Sequence, residues 1–258
     1  MEATATPTAV RINRWLPYWA VLQADVRHTL RSWVYRTWII LSIMTAGGYL
    51  LYRLGGEQIA GILHPNSTLL SDLLQWTVIG SVTLIITLTV SSITSERGTM
   101  ADSVLSRGIS RHQYFLGKWH ARLITILLSF LFMTGLWLLA SYFLLEADIS
   151  FRGVFWAVAT ISCMLIAIIS CGVAISAISN STVLGIAMLW LTLYGISFLM
   201  GLLATRVPSP EKFMESLPLV LQGRYSDVES LVHLMSWSLM ISFVMSLVGM
   251  AVFARRDI

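Results

Sequence analysis

SERGTMADSVLSRGISRHQYFLGK, residues Ser95 to Lys118, is a long polar interruption between two strongly apolar segments. It carries Glu96, Arg97, Asp102, Arg107, Arg111 and Lys118. The pattern predicts a short helix from Glu96 to about Ser106, with Thr94 or Ser95 as N-cap and Gly108 just past its end. Met100, Ala101, Val104 and Leu105 share one face of it, and Arg97, Asp102, Ser103 and Ser106 the other. A second helix is expected from Ser110, where Ser-Arg-His-Gln has the spacing of a capping box, and it runs on into the next apolar segment. A stiff amphipathic element joined to two apolar helices is a mechanical handle.

The flanking sequence is hydrocarbon-like. Of 258 residues, 56% are hydrophobic and 12% charged, against about a quarter charged in soluble proteins. Apolar runs of about 20 residues mark membrane spans. Six are expected: Tyr35–Leu54, Leu69–Thr94, Trp119–Leu145, Val154–Ile178, Val183–Thr205 and Leu231–Ala254. Twelve of the 17 Lys and Arg fall in the N-terminal segment, the 95–118 loop and its exit, or the C-terminus. That bias predicts that both termini and the loop are cytoplasmic. An all-α integral membrane fold follows, with residues 1–33 as cytoplasmic N-terminus plus an interfacial helix and 34–258 as one six-helix domain.

The interfacial helix is read from Trp15, Tyr18, Trp19, Leu22, Val26, Leu30 and Trp33 at helical spacing, with Gln23, Arg27 and Arg31 opposite and Pro17 in the first turn. On the outer side, residues 206–230 hold Pro208-Ser209-Pro210-Glu211, which opens a short helix with Phe213, Met214 and Leu217 on its apolar side. Pro218 is expected to end that helix, and Ser226-Asp-Val-Glu229 to cap the last span. Inside the spans Asp72 is the nearest approach to an ionisable group, which argues against a proton-coupled transporter or channel. Thr83, Thr87, Ser91 and Thr94 form a stripe on the second span, and Gly185, Met188, Thr192 and Gly195 one on the fifth; such stripes mark close helix–helix contacts rather than substrate sites.

Catalytic signatures are not found. Gly117-Lys118 is followed by Trp119, and His112 stands five positions before Gly117, so no phosphate-cradling loop is present and the chain is expected not to hydrolyse ATP. His28, His64, His112, His120 and His233 are dispersed, with no metal-ligand spacing. His112 and His120 are expected to be solvated near the cytoplasm. Cys163 and Cys171 read as small buried residues on one helix. No secretory signal is expected, and no Gly-x-Ser-x-Gly or His-Glu-x-x-His supports a stand-alone membrane enzyme.

Glu96-Arg97-Gly98-Thr99, Leu105-Ser106-Arg107-Gly108-Ile109-Ser110-Arg111 and Tyr114-Phe115-Leu116-Gly117-Lys118 resemble the cytoplasmic loop of ABC exporter permeases of the second type. There the form is E-x-x-x-G-T, then L-L-S-x-P-I-S-R, then a G-K opening the third span. The chain departs from it at Gly98, which follows Glu96 closely, and at Gly108, where proline is common. Phe253-Ala254-Arg255-Arg256-Asp257-Ile258 likewise resembles the family's F-x-R-R-D-L tail. The resemblance implies a permease in a bacterial cytoplasmic (inner) membrane, acting as a dimer with itself or a homologous permease. Its ATP and Mg would be bound by a separate ATPase subunit. It implies a coupling helix, with Glu96, Arg97, Met100, Asp102, Leu105 and Arg107 meeting the ATPase, and an elbow helix carrying Trp19, Arg27 and Arg31. It further implies that Thr83, Thr87, Ser91, Met188 and Thr192 border the pathway. Partners are then the ATPase, the second permease copy and membrane lipid, with no nucleic acid. A second reading stays open: a non-transporting anchor that carries ATPase motion to an outer-side accessory protein.

Overall fold

The computed structural model describes residues 15–60, 65–94, 109–144, 148–203 and 209–255. Among them it is all helix: α1 Leu16–Arg31, α2 Trp33–Ala60, α3 Asn66–Thr94, α4 Arg111–Leu144, α5 Phe151–Ile178, α6 Thr182–Leu203, α7 Pro210–Leu221 and α8 Val228–Arg255. Five of these are long and apolar enough to cross a membrane: α2, α3, α4, α5 and α8. The expected fifth span corresponds to α6, whose described apolar stretch, Thr182–Gly195, is shorter than the others.

α5 is the central post, packing on α3, α4, α6, α7 and most extensively on α8. Its sequence explains why. Gly153, Ala157, Ala167, Gly172, Ala174 and Ala177 are all buried, and small residues let neighbouring backbones approach closely. A side chain at Gly249 of α8 would meet the Ala174 Cα at 2.9 Å. Cys163 and Cys171 are buried, unpaired fillers on the same helix. α2 is peripheral and is tied on by polar pins, Tyr35 Oη to Ser129 Oγ at 2.6 Å and Trp38 Nε1 donating to Gly80 O at 2.9 Å. At its far end Asp72 is paired rather than isolated, accepting from Tyr49 Oη at 2.5 Å and Arg53 Nη2 at 3.1 Å.

α7 corrects the expectation that Pro218 ends the outer helix. It begins as read, with Ser209 Oγ accepting from Lys212 N at 3.2 Å, but it continues through Pro218 to Leu221. Pro218 has no N–H to give Met214 O, four residues earlier. Gln75 Nε2 of α3 supplies the missing donor at 3.0 Å. The helix stops instead at Gly223, whose φ of 71° needs glycine. Gly223 N bonds Val220 O at 2.9 Å and Arg224 N bonds Leu219 O at 3.1 Å, the paired bonds of a Schellman turn. The last helix also differs by one residue: Asp227, not Ser226, caps it, accepting from Ser230 N at 3.1 Å.

Gln75→Leu is expected to cost about 1–2 kcal/mol, because a partly buried carbonyl loses its donor. In a Pro218→Ala background the restored N–H takes over, and the same substitution should cost less than about 0.5 kcal/mol. SDS-driven unfolding of the four purified variants measures this; equal costs in both backgrounds would refute the substitution of one donor for the other.

Candidate functional site

The site is built where the 95–108 segment leaves and rejoins the bundle. Glu96, Arg97, Met100, Asp102, Leu105 and Arg107 lie outside the described residues, so the geometry belongs to their anchors. On the lead-in side, Ser176 Oγ of α5 accepts from Ile93 N at 3.0 Å and donates to Val90 O at 2.7 Å. Thr94 Oγ1 meets Thr182 Oγ1 of α6 at 3.1 Å. On the exit side the capping box forms as its spacing required. Gln113 N donates to Ser110 Oγ at 3.2 Å, and Ser110 N donates to Gln113 Oε1 at 3.3 Å. Arg111 Nη1 then donates to Ala254 O at 3.3 Å, which satisfies a terminal carbonyl of α8. Tyr114 stacks on Phe253, with centroids 5.8 Å apart.

Two turns into α4 comes a feature that the sequence reading missed. Lys118 Nζ sits 2.8 Å and Arg122 Nη2 3.4 Å from Asp25 Oδ1 of α1. Arg122 Nη1 also donates to Thr29 Oγ1, which donates in turn to Asp25 O at 2.8 Å. All four residues are buried. The geometry follows from two matching ladders: Asp25 and Thr29 are four residues apart on α1, and Lys118 and Arg122 four apart on α4. Gly117 makes the approach possible, since a Cβ there would meet Val21 Cγ1 at 2.8 Å. The signal available in the sequence was the Val21, Asp25, Thr29 spacing, which marks a third face of α1.

That third face reorganises the reading of α1. Val21, Asp25 and Thr29 are its buried side. The aromatic stripe of Trp15, Trp19 and Trp33 is exposed, as are Arg27 and Arg31. Tyr18 packs edge-on against His120 at 5.8 Å, and burial pushes its phenol above the ordinary value. His120 is therefore not simply solvated, contrary to expectation: its ring lies between Tyr18 and Trp119, and its Nδ1 is 2.9 Å from Leu116 O.

The remaining site residues lie on α3 and α6, which pack together through Val90 and Gly185. Thr83, Thr87 and Met188 are exposed, and Ser91 and Thr192 half-buried. Within one chain these stripes are thus mostly open rather than buried in helix contacts, although Gly185 packs on Val90, Thr94 meets Thr182 and Met188 Sδ accepts from Ser179 Oγ at 3.7 Å. Thr83, Thr87, Ser91 and Thr192 donate back to carbonyls of their own helices, at 2.8–3.1 Å. Such back-bonding satisfies the hydroxyl protons in an apolar medium and turns oxygen lone pairs outward.

Residues 17–220 match the model of the ABC-2 type transporter family. No curated protein matches the chain.

Proposed function

The chain belongs to the ABC-2 type transporter family, and from that premise we propose that it is the membrane permease subunit of an ABC exporter, moved by a separate ATPase subunit that docks on residues 95–118. As a member of that family it is a multi-pass membrane component of a transporter. The observation that carries the finer reading is the anchoring of both ends of the 95–108 segment. Its lead-in is fixed to α5 and α6 through Ser176 and Thr182, and its exit to α1 and α8 through Asp25 and Ala254. In this reading a push on that segment passes through these anchors and tilts α3 and α4 against the post α5.

In this reading α6 is the remaining span, making six, and both termini face the cytoplasm of a bacterial inner membrane. The basic residues Arg27 and Arg31 on α1, Arg36 at the start of α2, and Arg111 and Arg255 beside the exit of the loop support that orientation. α1 lies at the interface, with Trp15, Trp19 and Trp33 toward lipid. Two copies, or this chain and a homologous permease, face each other across the open α3 and α6 stripes. Thr83, Thr87, Ser91, Met188 and Thr192 border the path between them. The ATPase binds ATP and Mg; Glu96 and Asp102 pair with its arginines, while Arg97, Met100, Leu105 and Arg107 complete the contact. The open hydroxyl stripes favour transport over the anchor reading, which gives them no task.

Glu96→Arg with Asp102→Arg is expected to abolish co-purification of the ATPase subunit, because attractive pairs become like-charge pairs costing several kcal/mol. Undiminished recruitment would remove this loop from the interface.

A further inference from the structure

Along the outer side of α1, against α4, runs an apolar groove of about 630 Å³. Trp19, Leu22 and Val26 line it from α1 and Ile124 from α4, with Arg27 and Arg31 on its rim. A second recess of about 150 Å³ shares Val26, Leu30 and Ile124 with it and continues deeper, past Leu128 and Phe132 of α4. The two recesses therefore form one apolar track leading away from a pair of guanidinium groups. Arg27 and Arg31 stand four residues apart on the same exposed side. Among the described residues neither is joined to a carboxylate, and the carboxylate nearest in sequence, Asp25, faces the other way into Lys118 and Arg122.

We propose that this groove binds one anionic phospholipid, its phosphate held by Arg27 and Arg31 and an acyl chain laid along Val26, Ile124 and Leu128. The inference rests on placing α1 at the membrane interface. Two features favour a lipid over a soluble partner. A protein docking on Arg27 and Arg31 would leave the apolar track beneath them unused. A lipid fills both parts, because its charge and its hydrocarbon are joined in the same order. Guanidinium pairs suit phosphate, which they grip with several donors each. Negatively charged headgroups of the cytoplasmic leaflet are attracted by basic residues near the surface.

The test uses the full chain in nanodiscs of phosphatidylcholine containing a minority of phosphatidylglycerol, identical in both leaflets and without the ATPase. Native mass spectrometry then counts which lipid stays bound. The wild-type chain is expected to retain phosphatidylglycerol over phosphatidylcholine about thirtyfold, the factor that two basic residues at about 1 kcal/mol each supply. Arg27→Gln with Arg31→Gln should bring that ratio close to one, while Arg27→Lys with Arg31→Lys keeps most of it. Ile124→Trp, which fills the groove and leaves both arginines intact, should also lower retention. Excess soluble glycerol phosphate should not displace the lipid. An unchanged ratio in the glutamine variant overturns the proposal. So does displacement by glycerol phosphate, which would make this a plain phosphate site. A glutamine variant that keeps its lipid in the discs, and in a separate pull-down loses the ATPase, would overturn the proposal and assign the arginines to the ATPase instead. Because the discs are symmetric and contain no ATPase, failure here leaves the permease reading standing, and failure of ATPase docking leaves the lipid site standing.

Discussion

Asp25→Ala is expected to destabilise the protein by about 3–5 kcal/mol, the cost of removing one partner from a buried ion pair. The carboxylate side chain is 3% exposed and accepts from Lys118 and Arg122, themselves 5% and 6% exposed. Taking it away leaves two cations facing the place it held, in surroundings of low dielectric where neither can recover its hydration. Asp25→Asn keeps the shape and removes the charge, so it should fall between. The midpoint of SDS-driven unfolding in mixed micelles measures both, and a wild-type midpoint for Asp25→Ala would remove the cluster from the account. A triple replacement separates stability from coupling. Asp25→Leu, Lys118→Met and Arg122→Met together should regain most of the stability, since buried ion clusters are often no better than well-packed hydrophobic residues. The triple variant should still recruit the ATPase. Transport per ATP hydrolysed should fall, because α1 is then no longer locked to the helix that leaves the handle.

What the sequence disclosed and what it hid divide by the distance over which each interaction acts. The Ser110 to Gln113 capping box was legible because all its atoms lie within four residues. The opening of α7 at Pro208-Ser209-Pro210-Glu211 was legible for the same reason, though the capping role of Ser209 was not singled out. Pro218 was misread because its remedy, Gln75, lies 139 positions from Met214, the residue whose carbonyl it meets. A proline ends an isolated helix; it does not end one whose orphaned carbonyl is met by a neighbour. Asp25 was hidden differently. Sorting α1 into apolar and polar sides leaves room for two faces, whereas the helix has three: an exposed aromatic one, an exposed basic one and one buried on α4. The stripe on α3 was visible as a stripe, yet nothing in one sequence could say that Thr83 and Thr87 would stay open while Thr89 of the same helix would be fully buried. That choice is made by Gly172 of α5, where a Cβ would overlap the Thr89 hydroxyl.

Gly153→Ala is expected to be the most damaging glycine-to-alanine change among the described residues, and Gly135→Ala the control that shows why. Both glycines lie inside long helices, where alanine ordinarily gains about 0.5–1 kcal/mol by restricting the unfolded chain. At Gly135 nothing lies within 4 Å of the added Cβ, so that gain should appear undiminished. At Gly153 the Cβ would land on Val220 O, with Leu221 O also too close. Neither carbonyl is free to retreat. Leu221 O accepts from Ser150 N at 2.8 Å, and Val220 O accepts from Gly223 N at 2.9 Å within the turn that ends α7. The methyl must therefore displace α7 as a body, straining the bonds that Gln75 and Gln222 make to hold it on α3. A loss at the upper end of about 1–3 kcal/mol is expected, opposite in sign to the control. Displacement has its own readout, because Leu217 is fully buried beneath α7 and both native cysteines are buried. A cysteine substituted at Leu217 should resist a membrane-impermeant thiol reagent in the wild-type background and react once Gly153→Ala is added. Equal behaviour of the two glycine variants, in stability and in labelling, would mean that α7 does not rest on α5 as closely as the carbonyl contacts require.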